Sequence, residues 1–286
     1  MISNNLSREH TLELVGLAED IPTLPDRFLK IQNVLNHPDS SAKEIAEIIQ
    51  TDQATTVMLM KIANSPAYNP MNQPINKLSQ AIARLGVTET AEISMSISLL
   101  YGFAIPAGIA KIRCFWAHAY AVGAISKILI NKLPDDLDKP DPEAMFLAGL
   151  LHDIGRAILG IRVDMSYFEQ KKFTAHGQKL IDAEEEEFGT NHAEVGGIIL
   201  KKWNMPDDII EIVAGHHEES NLIGGQICTI ANNLANGFLG HYDNIEKVYF
   251  ALNNRFIENA EKALIKAGLI AAPEEEVLEI DLPSLP

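Results

Sequence analysis

A charged His-Asp pair lies inside one of the most apolar segments of this chain. His152 and Asp153 follow the apolar residues 147–151 and precede Ile154 and Gly155. Burying an ionised carboxylate is costly unless the group is paired or binds a metal ion. Imidazole nitrogens and carboxylate oxygens are common ligands of zinc, iron and manganese. The pair therefore predicts a fold that brings further ligands to this position.

Other histidines stand beside apolar helical segments in the same way. A single histidine of this kind is more often an ordinary hydrogen-bonded residue than a ligand. Several of them on different helices can converge in the core of a bundle, and as a set they favour a metal site. With His152 they make up five of the nine histidines of the chain, and they are His118, His192, His216 and His217.

The hydrophobic pattern is helical nearly throughout, and no alternating strand pattern persists. Apolar residues recur at helical spacing at Leu78, Ile82 and Leu85, and a long helix carrying His118 is expected over about 109–132. A helix from about residue 142 is expected to carry the His-Asp pair and to break at Gly155 or Gly160. The sequence thus predicts an all-α helical bundle.

A break at residues 102–108 contains two glycines and a proline and predicts a boundary within the bundle. We expect an N-terminal helical part over 1–104, a subdomain with the histidines over 105–240, and a C-terminal helix with an acidic tail over 241–286. Asn191 is expected to cap the helix that begins with His192, and Thr88 to cap an earlier helix. The acidic run 184–187 is typical of a solvated helix face.

Composition excludes several classes of protein. With a net charge of −16, the chain repels phosphate backbones and anionic membranes, so neither nucleic acid nor a membrane is an expected partner. Two cysteines, Cys114 and Cys228, cannot build a disulfide framework and are expected to be small buried residues. The N-terminus lacks the pattern of a secretory signal, and no uncharged apolar stretch reaches about 18 residues. We therefore expect a cytoplasmic protein.

The order His118, His152-Asp153, His192, His216-His217 resembles the HD superfamily of metal-dependent phosphohydrolases. The resemblance implies that the first histidine, the His-Asp pair and a later aspartate bind one metal, and that the extra histidines allow a second. The later aspartate is expected at Asn232, with Asn233 as the alternative alignment. An amide there is a neutral and weaker ligand than a carboxylate.

The first half of the chain carries a second resemblance. Leu24-Pro25, Ala63-Asn64-Ser65 and the segment 81–86 (Ala-Ile-Ala-Arg-Leu-Gly) occur in the order found in the HDOD domain, a bacterial signalling module related to the HD superfamily. The likeness spans roughly residues 20–235. No Gly-Tyr-Pro signature follows His217, which speaks against the HD-GYP phosphodiesterases of cyclic-di-GMP.

These resemblances leave three functions open. The first is an HDOD-type signal-transduction module that binds a protein partner and retains a metal. The second is a metal-dependent phosphohydrolase acting on a nucleotide or another phosphate ester, with Arg156 gripping the phosphate. The third is a remnant in which hydrogen bonds alone hold the histidines. The expected cofactor is a divalent transition metal (Fe, Mn or Zn), as one or two ions. Its ligands would be drawn from His118, His152, Asp153, His192, His216, His217 and Asn232.

Overall fold

The computed structural model describes residues 6–16, 23–35, 42–66, 68–218, 222–239, 262–267 and 269–270. Thirteen α-helices and two short 3-10 helices are delimited within these segments, and no strand occurs among them. The prediction of an all-α fold is confirmed. Contacts divide the chain into two compact units, one formed by Pro22–Ala104 and the other by Met1–Ile21 together with Ile105–Pro286.

We number the helices in chain order. The helix that precedes the first unit is α1 (Arg8–Gly16). The unit Pro22–Ala104 contains α2 (Asp26–Leu35), α3 (Ala42–Gln50), α4 (Gln53–Ala63), α5 (Leu78–Leu85) and α6 (Val87–Gly102). The remaining helices are α7 (Ile109–Asn131), α8 (Pro142–Leu151), α9 (Ile154–Arg162), α10 (Gln178–Phe188), α11 (His192–Lys202), α12 (Asp207–Ala214) and α13 (Ile223–Leu239), with 3-10 helices at Tyr167–Glu169 and Lys171–Thr174.

Helix α6 is the core element of the unit Pro22–Ala104 and is buried from Thr90 to Leu99. Its interior serines satisfy their hydroxyls within the helix. Ser94 and Ser98, for example, each donate to the carbonyl four residues earlier, at 2.6 and 2.7 Å. The predicted cap at Thr88 is wrong. The helix begins at Val87 after Gly86, whose positive φ of 90° suits a glycine.

In the other unit, α7 and α8 approach closely at a pair of glycines. A Cβ on Gly149 would lie 2.8 Å from the Cα of Gly123, and one on Gly123 would lie 2.7 Å from the carbonyl oxygen of Phe146. Neither position has room for a side chain. This contact brings His118 of α7 close to the C-terminal end of α8, where the two imidazole rings of His118 and His152 are 5.2 Å apart.

A second close approach joins α9 to α11. A Cβ on Gly155 would lie only 1.9 Å from the carbonyl oxygen of His192. The prediction that a helix breaks at Gly155 or Gly160 is therefore wrong, because Gly155 serves packing inside α9. The break falls at the His-Asp pair itself, since α8 ends at Leu151 and α9 begins at Ile154.

The segment Pro142–Arg162, which holds α8 and α9, is the one stretch within the described residues that is long and apolar enough to cross a membrane. Its apolar window is 83% buried inside the protein. Such burial is a property of core helices, so the segment is weak evidence for a membrane span. The sequence rule missed it because Asp153 and Arg156 interrupt its apolar residues.

The division between the units falls between Ala104 and Ile105, where the sequence also places a boundary. Residues 1–21 nevertheless belong to the unit that contains the histidines. Helix α1 packs on α9, and the hydroxyl of Thr11 donates to the carbonyl of Phe188 at 2.8 Å. Of the predicted C-terminal part 241–286, residues 262–266 are helical, and residues 241–261, 268 and 271–286 lie outside the described part of the chain.

Candidate metal centre

His152 is fully buried at the junction of α8 and α9. Its Nδ1 lies 2.7 Å from the carbonyl oxygen of Gly149, a contact that assigns the ring proton to Nδ1. Its Nε2 has no hydrogen-bond partner within the described residues and lies 3.5 Å from Oδ1 of Asp153. The lone pair of His152 is therefore directed at the carboxylate next to it.

His216 has the same environment in the turn after α12. Its Nδ1 lies 2.7 Å from the carbonyl oxygen of Val213. Its buried Nε2 lies 3.8 Å from the same Oδ1 of Asp153 and, among the described groups, has no hydrogen-bond partner. Buried polar atoms almost always have partners. Backbone carbonyls that fix the tautomer of an imidazole are typical of metal-binding histidines, so these two nitrogens fit the ligands of an ion.

Asp153 is the shared member of two groups of ligand atoms. One group consists of Asp153, His192, His216 and His217, the other of His118, His152 and Asp153, and within each group the ligand atoms lie within 4.8 Å of one another. His192, in the first turn of α11, places its Nε2 3.2 Å from Oδ1 of Asp153 and 3.0 Å from Nε2 of His217. The structure thus brings all five predicted histidines to Asp153.

Helix capping explains the position of His192. As the sequence predicts, Asn191 caps α11, because its side chain accepts from the backbone N–H of Glu194 at 3.1 Å. His192 is therefore held in the first turn of the helix, where its side chain is fully buried.

Burial sets the charge of most of these imidazoles. It lowers the pKa of His118 to about 4, that of His152 to about 3 and that of His217 to about 3, and it lowers the pKa of His216 well below its ordinary value. These four rings are neutral at pH 7, the state that a metal ligand requires.

His192 and Asp153 differ from the other groups. Burial would lower the pKa of His192, but the nearby carboxylates of Glu184 and Asp153 outweigh it and raise this pKa to about 9. Burial would raise the pKa of the Asp153 carboxyl, but His152 and the guanidinium of Arg156 hold it well below its ordinary value. Asp153 is thus an ionised ligand. His192 carries a proton on both ring nitrogens in the metal-free protein, and it loses the Nε2 proton when it binds an ion.

Asn232 occupies the place beside His118 where the resemblance implies an aspartate. It lies on α13, is 7% exposed and lines the same cavity as His118 and Asp153. Its Oδ1 accepts from the amide of Asn236 at 2.9 Å. Asn233, the alternative alignment, is exposed. The amide of Asn232 is within the site but adds no negative charge to it.

Arg156 lies next to Asp153 and donates hydrogen bonds to three residues. Nη1 donates to Oδ2 of Asp153 at 3.0 Å, Nε to the hydroxyl of Tyr167 at 3.2 Å, and Nη2 to the carbonyl of Phe173 at 3.1 Å. Its side chain is 14% exposed and borders the cavity. The guanidinium thus neutralises one face of Asp153 and uses three of its five N–H donors in these bonds.

A cavity of about 320 Å3 opens onto the centre. Its walls are aromatic near the 3-10 helices and polar near α13. His176, which the sequence did not single out, is one of its exposed lining residues. Cys114 also lines it and is exposed, so the prediction that both cysteines are buried holds for Cys228 alone.

The sequence missed one residue of the site. The run 184–187 is predicted to be a solvated face, but Glu184 is fully buried. Its Oε2 lies 2.7 Å from Nδ1 of His192 and accepts the backbone N–H of His192 at 2.9 Å. The available signal was helical spacing, because Leu180, Glu184 and Phe188 share one face of α10 and the other two are apolar.

Comparison with known proteins agrees with the resemblance to the HDOD domain. The sequence profile of the HDOD domain matches residues 21–219. An uncharacterized protein of Treponema pallidum (strain Nichols) is 25% identical over 202 residues, which cover 70% of this chain and 38% of that protein. The chain thus corresponds to well under half of that relative's length.

Similar solved structures have the same fold. An HDOD domain protein from Geobacter sulfurreducens superposes with a TM-score of 0.62 at 22% identity, covering 92% of this chain and 99% of its own. A candidate signal transduction protein from Marinobacter aquaeolei VT8 gives 0.62 at 15% identity, covering 93% and 65%. A candidate phosphohydrolase from Shewanella amazonensis SB2B gives 0.59 at 18% identity, covering 91% and 94%. At these identities the likeness concerns the fold.

Proposed function

Because the chain belongs to the HDOD domain family, we propose that it is a signal-transduction module that binds a protein partner and holds a divalent transition metal at the His-Asp centre. The observation that supports a bound metal is that the buried Nε2 atoms of His152 and His216 have no hydrogen-bond partner among the described residues. Both lie close to Oδ1 of Asp153. Leaving two such nitrogens without partners is costly unless an ion occupies the space between them and Asp153.

Of the two possible ion positions, the one with more protein ligands is the group of Asp153, His192, His216 and His217, which offers four. The group of His118, His152 and Asp153 offers three, and its fourth neighbour is the neutral amide of Asn232. We propose that the first group holds the tighter ion and that a second ion, where one binds, is weaker. The proposed ions are Fe, Mn or Zn, because imidazole with carboxylate suits these metals.

The neutral Asn232 and the engaged Arg156 favour the signalling function over hydrolysis. Phosphate-ester hydrolysis at a two-ion site depends on both ions clamping the substrate. Here the second group lacks its carboxylate, and the expected phosphate-gripping arginine is already bonded to Asp153, Tyr167 and Phe173.

A phosphohydrolase is the second candidate, and the cavity of about 320 Å3 beside the centre favours it. A phosphate ester fits such a space, with its phosphate toward Asp153 and its other end against aromatic walls that include Phe115 and Phe168. A bound ion would supply Lewis-acid polarisation of a phosphoryl oxygen. In this function Arg156 would have to turn its two remaining N–H donors toward the phosphate, or exchange one of its present contacts for it.

Two measurements test the proposal. Elemental analysis of native protein should find a bound transition metal, and its absence from carefully prepared protein would refute the metal part. A screen of nucleotides and phosphodiesters with Mn²⁺ should give no more turnover than the His152→Ala variant. Robust metal-dependent turnover that is lost in both His152→Ala and Asp153→Ala would make the hydrolase the leading function.

Partner binding needs its own test. In-cell crosslinking of the native protein should trap a defined protein that is also trapped by Asp153→Ala, because we place the partner on the outer surface. Failure of repeated crosslinking to enrich any protein over an unrelated helical control would contradict the signalling proposal.

A further inference from the structure

Asp153 is one member of a closed ring of polar contacts among five side chains. Arg156 donates from Nη1 to Oδ2 of Asp153 at 3.0 Å and from Nε to the hydroxyl of Tyr167 at 3.2 Å. That hydroxyl donates to Oε1 of Glu184. Oε2 of Glu184 lies 2.7 Å from Nδ1 of His192, and Nε2 of His192 lies 3.2 Å from Oδ1 of Asp153, which closes the ring.

The ring lies in the interior of the unit, where unpaired charge is costly. Tyr167, Glu184 and His192 are fully buried, and Asp153 is 4% exposed. Both carboxylate oxygens of Glu184 accept hydrogen bonds. Oε1 accepts from the hydroxyl of Tyr167, and Oε2 accepts from the ring Nδ1–H and the backbone N–H of His192. A buried carboxylate is weak evidence for stability, because an apolar residue of similar volume often serves as well.

We propose that Glu184 is a positioning residue for metal binding. By accepting the Nδ1 proton of His192, Glu184 makes Nε2, which faces Asp153, the nitrogen that loses its proton and binds an ion. Through Tyr167 it also holds Arg156 against the other oxygen of Asp153. The inference rests on the metal site proposed above and adds to it a residue that is not itself a ligand.

The position of Glu184 also predicts which ion it affects. Its direct contact is with His192, which belongs to the group of Asp153, His192, His216 and His217. The ring does not include His118 or His152, and the Nδ1 of His152 is held instead by a backbone carbonyl. Loss of Glu184 should therefore weaken the ion at the His192 group most.

The test is a Co²⁺ titration of the purified, metal-stripped protein, followed by its visible absorption spectrum. Glu184→Gln keeps the size of the side chain and removes its charge, and we expect it to weaken binding at the His192 group about 10–100-fold and to alter the Co²⁺ spectrum. Glu186→Gln is the matched control, because it makes the same change on the exposed face of the same helix. It should leave both the affinity and the spectrum unchanged.

A double-mutant cycle separates positioning from a general effect on the fold. If Glu184 acts through His192, then Glu184→Gln should cause little further loss of Co²⁺ affinity when His192 is already replaced by Ala. Equal losses in the native and His192→Ala backgrounds would overturn the inference. So would a folded Glu184→Gln variant that binds Co²⁺ with native affinity and spectrum.

Two further results complete the test. If native protein binds no Co²⁺ or Zn²⁺, the proposed metal site fails, and the inference fails with it; native binding with an unaffected Glu184→Gln variant refutes the inference alone. If Glu184→Gln does not fold, imidazole ¹⁵N NMR of native protein decides. On addition of Zn²⁺, His192 should keep its Nδ1 proton while its Nε2 signal shifts, and loss of the Nδ1 proton to the metal would overturn the proposal.

Discussion

Replacing Gly155 with alanine tests whether the contact between α9 and α11 builds the metal centre. The new Cβ would lie 1.9 Å from the carbonyl oxygen of His192, whereas such contacts are essentially never below 3.0 Å, so the helices must separate by about 1 Å. The obstacle is backbone and cannot rotate away. Overpacking of this kind costs about 1–3 kcal/mol, and the better helix propensity of alanine returns about 0.5–1 kcal/mol.

We therefore expect Gly155→Ala to lose up to about 2.5 kcal/mol of unfolding free energy in urea, the range left when the second effect is subtracted from the first. Metal affinity should fall further, because Asp153 directly precedes α9 and His192 opens α11, the two helices that separate, and ligand distances tolerate only about 0.2 Å.

Gly160→Ala in the same helix is the control for helix propensity. Its Cβ would meet the ring of Phe168 at 2.9 Å, and a side chain can move. The control should keep native metal affinity and lose less stability. A Gly155→Ala variant with native stability and native metal content would refute the packing argument.

Three more predictions follow from the site. Asp153→Ala should strip bound metal, because it removes the carboxylate shared by both ligand groups; elemental analysis that finds native metal content would contradict this. Asn232→Asp should tighten metal binding by about 1–3 kcal/mol, the range of a charge-assisted contact, and an unchanged Kd in a chelator competition would argue against it. The metal-free protein should lose stability as pH falls from about 6.5, where unfolded histidines take up protons. The loss should continue toward about 4, because burial lowers the folded pKa of His118 to about 4 and that of His152 to about 3. A urea midpoint that stays constant between these pH values would contradict it.

Much of the fold and most of the site could be predicted from the sequence because their signals are local. Apolar residues at helical spacing identify a helix without knowledge of its neighbours. The histidines lie within, follow or open such segments, so their convergence could be expected from the architecture of a bundle. The cap at Asn191 likewise depends only on residues 191–194, and it fixes His192 in the first turn of α11.

The features that the sequence did not reveal depend on contacts distant along the chain. Glu184 belongs to an acidic run; helical spacing places it on the apolar face of α10, but only the docking of α10 shows that this face meets His192. The role of Gly155 inside α9 follows from its close approach to a residue 37 positions later, and no local pattern shows that. The placement of residues 1–21 with the second unit rests on contacts such as the one between Thr11 and Phe188.

The charges around Asp153 connect the metal proposal with the signalling proposal. Arg156 neutralises Oδ2, so Oδ1 is the oxygen that faces the histidines, and the remaining predicted ligands are imidazoles, which bind a metal in their neutral form, and the amide of Asn232. Hard ions such as Mg²⁺ prefer oxygen-rich sites, whereas imidazole suits zinc and iron. With so little negative charge, two closely spaced divalent ions would repel each other with weak compensation. We therefore expect elemental analysis to find zinc or iron at about one ion per chain, a composition suited to holding α9, α11 and the turn after α12 in one arrangement. Two tightly bound ions per native chain would refute this argument and favour hydrolysis.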